Sequence, residues 1–176
     1  ESPDGPIDLI LTDHADVSNG FAQVTPSNRI VIYARPPVDD PGLGYIDEWL
    51  ELVITHELAH IVQLDLTENP IGKLARSIFG RVAAPWPFFP GRGTPRWITE
   101  GLATWYESSL TEAGRVRGTF HEMVLRTAAL EGRLEGIGQT QGESPEWPAG
   151  ARPYAYGSLF FDHLTDKYGT ELMGAF

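Results

Sequence analysis

Apolar residues recur along this 176-residue chain with two periods, and the change from one to the other divides it. Near the start, residues 7–11 and 29–33 are short runs rich in β-branched side chains, bounded by Pro, Gly, Asn and Asp, and they predict two strands. The connection between them, 12–28, is polar and holds Asn19-Gly20. After Pro36-Pro37 and the Gly42-Leu43-Gly44 turn the pattern becomes helical over residues 47–66, with Asp47 as its N-cap. Trp49, Leu50, Val53, Ile54, Ala59, Ile61 and Val62 give this helix a broad apolar face, which predicts a central, buried position. Asp65, near its end, reads as an ordinary polar residue.

A shorter helix follows over residues 71–79, opened by Asn69-Pro70 and ended by Gly80. Residues 82–90 are rich in Ala, Pro, Trp and Phe and hold no period. They read as a loop that lines a groove or covers the core or, with Ile78 and Phe79, as a patch that touches a membrane or a neighbouring domain. Thr94-Pro95 supplies the cap and first turn of a helix running to Leu110. Thr119 with Glu122 has capping-box spacing for the next, which ends near Gly132. Residues 136–150 read as an irregular loop, and a last long helix runs from Arg152 or Tyr154 to Tyr168, stopped by Gly169. The sum is an α+β fold, a small N-terminal sheet followed by a mainly helical body, in a single domain over residues 1–176. The chain lacks an initial Met and stops at 170–176 where another helix could begin, so it reads as a fragment of a longer protein.

Charge and composition narrow the partners. Lys and Arg total 13 against 24 Asp and Glu, a formal charge of -11 at pH 7, and 41% of residues are hydrophobic. Phosphate binding wants a basic stripe, whereas here only Arg115 and Arg117 stand close together, so no nucleic-acid partner is expected. Cysteine is absent, so any metal must be held by nitrogen and oxygen. No apolar run approaches the ~18 residues of a membrane-spanning helix.

Those two donor types meet in His56-Glu57-Leu58-Ala59-His60, within the central helix. Histidines four apart lie one above the other on a helix, so both imidazoles can converge on one zinc ion. Glu57 stands beside them, placed to take a proton from a water on the metal. Catalytic zinc sites take three protein ligands and leave a position for water, which calls for one more ligand. His14, His121 and His163 remain, but Glu100 in Trp97-Ile98-Thr99-Glu100-Gly101 is the better candidate, because Gly101 would let another helix pass close. Glu107, two turns further along the same face, can accept the second ring N–H of a ligating histidine and fix its tautomer. A purely structural zinc would instead need a fourth protein ligand such as His163 or His121.

The H-E-x-x-H helix followed by W-x-x-E-G-x-A-x-x-x-E, here running from Trp97 to Glu107, resembles the gluzincin zinc metallopeptidases, specifically the aminopeptidase-like branch called peptidase MA-like. The resemblance implies a zincin-like metallopeptidase fold and a Zn2+ cofactor held by His56, His60 and Glu100. It assigns the general base to Glu57 and an outer carboxylate to Glu107. Tyr154-Ala155-Tyr156-Gly157 looks like the Y-x-x-G helix start that supplies a transition-state-stabilising phenol, which falls on Tyr154, with Tyr156 as its rival. In that class an edge strand beside the metal holds the extended substrate, and residues 29–33 are expected in that place.

Two departures shape the expected activity. The 40 residues from His60 to Glu100 exceed the roughly 20 usual in the branch, a surplus made by the 71–79 helix and the Pro-Trp-Phe segment, which should sit near the site and change access. The G-x-M-E-N segment that holds a free amino terminus is missing, and Asn19-Gly20-Phe21-Ala22 is a poor substitute. Hydrolysis of peptide or protein substrates as an endopeptidase or oligopeptidase is therefore expected over aminopeptidase action; the alternative is an inactive, peptidase-like binding module in a larger surface protein. Relatives of this type are often exported bacterial proteins with further modules, which implies a periplasmic or cell-surface setting and further domains of the same parent chain.

Overall fold

The computed structural model describes residues 3, 5–38, 40–66, 69–140, 145 and 147–175. Strands β1 (Ile7–Thr12), β2 (Gly20–Gln23) and β3 (Asn28–Tyr33) form a mixed sheet in the order β1-β3-β2. β1 runs parallel to β3, with Ile7 opposite Asn28; β2 runs antiparallel to it, with Gly20 opposite Ile32. Along β3 alternate residues Asn28, Ile30 and Ile32 are buried, the period of a strand with one face on a core.

The two expected strands are present, and β2 is an addition inside what reads as a polar connection. Its four residues, Gly20-Phe21-Ala22-Gln23, are too few to show an alternating pattern, and the ladder with β3 supplies the backbone pairing that sequence alone does not announce. The consequence is a correction: residues 29–33 belong to the central strand, and β2 is the edge strand that faces the metal cleft.

Helix α1 (Trp49–Asp65) lies against this sheet and against the later helices, as its broad apolar face predicts. Val24, Ile30, Ile32, Trp49, Leu52, Val53, Ile61 and Phe89 form the core beneath it, and the Trp49 indole N–H donates to the Tyr33 carbonyl at 3.1 Å. Its N-cap is Glu48, without a side-chain hydrogen bond, rather than Asp47. Asp65 is not an ordinary polar residue: it is 3% exposed and accepts from Asn28 Nδ2 at 2.8 Å, Arg76 at 2.9 Å and Arg81 at 2.8 Å. A carboxylate buried to that degree is tolerable only with such partners.

That network holds the segment after α1. Helix α2 (Pro70–Phe79) is capped by the Asn69 side chain on Gly72 N and stopped by Gly80 at φ 71. Its Arg76 reaches inward, over the ring of the fully buried Phe89 at 4.2 Å, while Ile71, Leu74, Ile78 and Phe79 face solvent. The chain then passes α1 so closely that a Cβ on Gly91 would lie 2.4 Å from the Gln63 carbonyl oxygen. A 3-10 turn at Pro90–Gly93 delivers Arg92 and Thr94 to the cavity beside the His pair, so part of the extra length does border the site.

Helices α3 (Arg96–Leu110) and α5 (Arg152–Tyr168) cross at glycine, as the place of Gly101 suggests. A Cβ on Gly101 would lie 2.4 Å from Gly157 Cα, and one on Gly157 would lie 2.0 Å from the Trp97 carbonyl oxygen. This contact sets Tyr154, in the first turn of α5, beside Glu100 on α3. Gly157→Ala must therefore separate the helices: we expect a loss of about 3 kcal/mol, read as a fall of roughly 6–12 °C in melting temperature. A variant melting with the wild type would show that the crossing is not close.

Helix α4 (Thr119–Leu130) packs on α5. Its N-cap is Gly118, making Thr119 the first helical residue, so the expected capping box does not form; likewise Pro95, not Thr94, caps α3. In the expected loop 136–150, a 3-10 turn at Ile137–Gln139 lies near the start and a second, Ala149–Ala151, runs past the end, and 141–144 and 146 lie outside the described residues. After α5, Thr170–Ala175 is a 3-10 helix, and 176 lies outside the described residues. No described helix is long and apolar enough to cross a membrane.

Candidate metal centre and active site

Helical geometry brings the histidines together. His56 Nε2 and His60 Nε2 lie 3.2 Å apart, and Glu100 Oε2, delivered by α3, lies 3.5 Å from the first and 3.2 Å from the second. Two imidazole nitrogens facing a shared carboxylate oxygen have too few protons to satisfy every contact as hydrogen bonds. A tetrahedral ion with bonds of roughly 2.0–2.1 Å separates its ligand atoms by roughly 3.3–3.4 Å. The three observed edges match that figure, so the donor set fits one metal ion, and its nitrogen and oxygen chemistry suits zinc.

The electrostatics agree with this arrangement. Burial works against charge on Glu100, yet hydrogen bonds to His56 and His60 hold its carboxyl far below the usual range. Burial also opposes charging of His56, but Glu100 and Glu107 outweigh it and raise the imidazole. Glu107 Oε2 stands 2.9 Å from His56 Nδ1 on the side away from His60, and the carboxylate is fully buried. Burial would push Glu107 up, but the charge and hydrogen bonds of Arg115 hold it at about 2, so it is ionised at neutral pH.

Glu57 is 5% exposed and borders the cavity. Edge strand β2 sits on it: a Cβ on Gly20 would lie 3.1 Å from both Glu57 Cγ and Oε1. Burial pushes the Glu57 carboxyl up, and the charges of His56 and His60 offset part of the rise. The Tyr154 ring stacks at 6.3 Å from the His56 ring and borders the same cavity, whereas Tyr156 is buried elsewhere, its hydroxyl accepting from Glu135 N at 3.4 Å. The cavity measures about 420 Å3, with β2 along one wall and Arg92, Thr94 and Arg96 at another side.

The remaining histidines stay away from the cluster. His121 is buried against the Ser158 hydroxyl at 3.2 Å, and His14 and His163 are exposed. Among the described residues, then, the cluster has three protein ligands and no fourth, which disfavours the purely structural zinc. Sequence reasoning missed Arg115, which touches both Glu107 and His56, and the wall made by β2. Neither carries a periodic or motif signal.

A His56-Glu57-x-x-His60 pair with a distal Glu100, set in a small sheet and a helical body, is consistent with a gluzincin-like metallopeptidase fold, and the cluster supports hydrolase activity. The chain is 27% identical over 167 residues to an uncharacterized protein of Treponema pallidum (strain Nichols), an alignment covering 93% of this chain. It spans 13% of the length of that relative. No family model matches the chain, and no solved structure matches it significantly.

Proposed function

We propose that this domain is a zinc peptidase that cuts internal bonds of peptide or protein substrates, with the metal held by His56, His60 and Glu100. The observation that carries the reading is the spacing of those three donors beside the buried carboxylate of Glu57. Zinc, when bound, supplies a Lewis acid for the scissile carbonyl and lowers the pKa of water. Glu57 takes the proton of the attacking water and returns it to the leaving amine, a task its raised pKa suits. Tyr154, whose phenol burial and the Glu100 charge keep protonated, donates to the carbonyl oxygen as that atom gains charge. Glu107 holds His56 in the tautomer that leaves Nε2 bare.

The open edge of β2 offers backbone groups to an extended substrate, a mode that reads main chain more than side-chain identity. Its residues carry no carboxylate to hold a free α-amine, and the only acidic residues bordering the cavity among those described are Glu57 and Glu100. This supports internal cleavage over removal of the amino-terminal residue. An exported setting, periplasmic or at the cell surface, belongs to the same reading and is carried by the family resemblance.

The test is an internally quenched peptide library offered with blocked and with free amino termini, with products read by mass spectrometry. Cleavage of blocked peptides at internal bonds is expected, abolished by 1,10-phenanthroline and restored by added zinc. Stepwise release of single residues from free termini alone would overturn the internal-cleavage reading, and no cleavage of any peptide would overturn peptidase action.

A further inference from the structure

Arg115 stands in the metal cleft without a role in the reaction just described. The turn that carries it is tightly made. Gly114 has φ +104, and a Cβ there would lie 2.4 Å from Ser108 Oγ, so the chain folds back onto the end of α3 beside Glu107. Val116 N donates to Ser108 Oγ at 3.0 Å and Arg117 Nε to the Ser108 carbonyl at 2.8 Å, while Gly114 N donates to the Tyr45 carbonyl at 3.2 Å. The backbone is thus fixed on both sides of Arg115.

From there the residue makes three contacts with Glu107: Nε to Oε1 at 2.8 Å, a terminal nitrogen to Oε2 at 2.7 Å, and its own backbone N–H to Oε1 at 3.1 Å. The same guanidinium lies 4.8 Å from the centre of the Tyr154 ring, within cation–π reach. Its terminal nitrogen is also 2.9 Å from His56 Nδ1. A guanidinium has no acceptor, so this last pair is either a donation to a bare Nδ1 or the approach of two donors to one carboxylate. The first alternative puts the imidazole proton on Nε2, where it would block a metal. In the second, the imidazole keeps its proton on Nδ1, donates it in a hydrogen bond to Glu107 Oε2, and leaves Nε2 free.

We infer that Arg115 is a positioning residue of the metal centre: its fork fixes Glu107 so that His56 presents a bare Nε2, and its face holds the Tyr154 ring over the same cavity. This rests on the metal-site reading above and adds a component outside the H-E-x-x-H and W-x-x-E-G motifs. A lysine in this place would bring the charge without the two-pronged grip. A neutral side chain would remove the fork that holds both carboxylate oxygens of Glu107 and leave that fully buried group without its counter-charge, free to turn away from His56.

The test uses the full chain with Arg115→Met, Arg115→Lys and Glu107→Gln, each alone, and the Met and Gln changes combined. Folding is checked first by circular dichroism and melting. Metal retention is read by competition with a chelator, and site geometry by the visible spectrum of the cobalt-substituted protein. Arg115→Met is expected to weaken metal binding by roughly 10–100-fold and to shift the cobalt bands as Glu107→Gln does. The double variant should lose no more than the worse single one, because both changes break one device. With peptide, kcat should fall while KM stays within about twofold, and Arg115→Lys should recover the melting temperature but not the cobalt spectrum. Wild-type metal affinity and cobalt bands in a folded Arg115→Met protein would overturn the inference, as would losses that multiply in the double variant. If the wild-type chain holds metal but cuts no peptide, the peptidase reading fails, and the affinity and spectral results still decide the role of Arg115.

Discussion

Glu57→Gln should lower kcat by roughly 10^2–10^4-fold while the protein still binds one metal ion per chain. The amide keeps the shape of the carboxylate in a site closed on one side by Gly20, so packing and the three metal donors are left in place. What it loses is the ability to accept a proton. Burial has already raised this carboxyl from its ordinary value, which brings its basicity nearer to neutral pH. Steady-state kinetics on a cleaved peptide, paired with metal analysis of the same sample, is the measurement. Undiminished turnover would remove Glu57 from the mechanism, and parallel loss of metal would move it into the ligand set.

The second large effect is the converse. Glu100→Gln should lose metal retention by more than the roughly 10–100-fold typical of an outer partner, with activity falling as the metal leaves. Glu100 is the only anionic donor in the cluster, and it reaches both His56 and His60 across the gap between α1 and α3. A carboxamide removes the charge that the metal and the two imidazoles share. Glu100→Asp keeps the charge but draws it back by one methylene, so its affinity should fall between the two. Competition with a graded series of chelators measures all three proteins, and equal occupancy in wild type and Glu100→Gln would sink the assignment of Glu100 as a ligand.

Some of this was readable before any fold was known. The His56 and His60 pairing depends only on helical repeat, and the helix depends on an apolar pattern inside a seventeen-residue stretch, Trp49–Asp65. The missing side chain of Gly101 marks a point where another helix can pass, and α5 does pass there through its own Gly157. The errors fall where a local signal competes with a distant one. Asp47, Thr94 and Thr119 have the chemistry of caps, yet none is the N-cap: α1 and α3 start one residue later than that reading places them, and α4 starts one residue earlier, at Thr119 itself, shifts of the size by which helix ends vary. Asp65 reads in the sequence as a helix-end polar residue because its partners Asn28, Arg76 and Arg81 are 37, 11 and 16 residues away.

By itself, then, the sequence determined the chemistry of the donors and the local geometry that aligns two of them, since both follow from residue type and a repeat of 3.6. Only the tertiary structure decided which strand borders the cleft. β2 acquires its conformation by pairing with β3 and resting on Glu57, and no period can encode that in four residues. It likewise decided that Glu107 meets His56 across 51 residues, and that Arg115 meets His56 across 59. Contacts at that range are set by how helices and turns dock. The docking rests on particular close approaches, such as glycine on glycine between α3 and α5 and Gly114 against Ser108, that are visible only when the chain is folded.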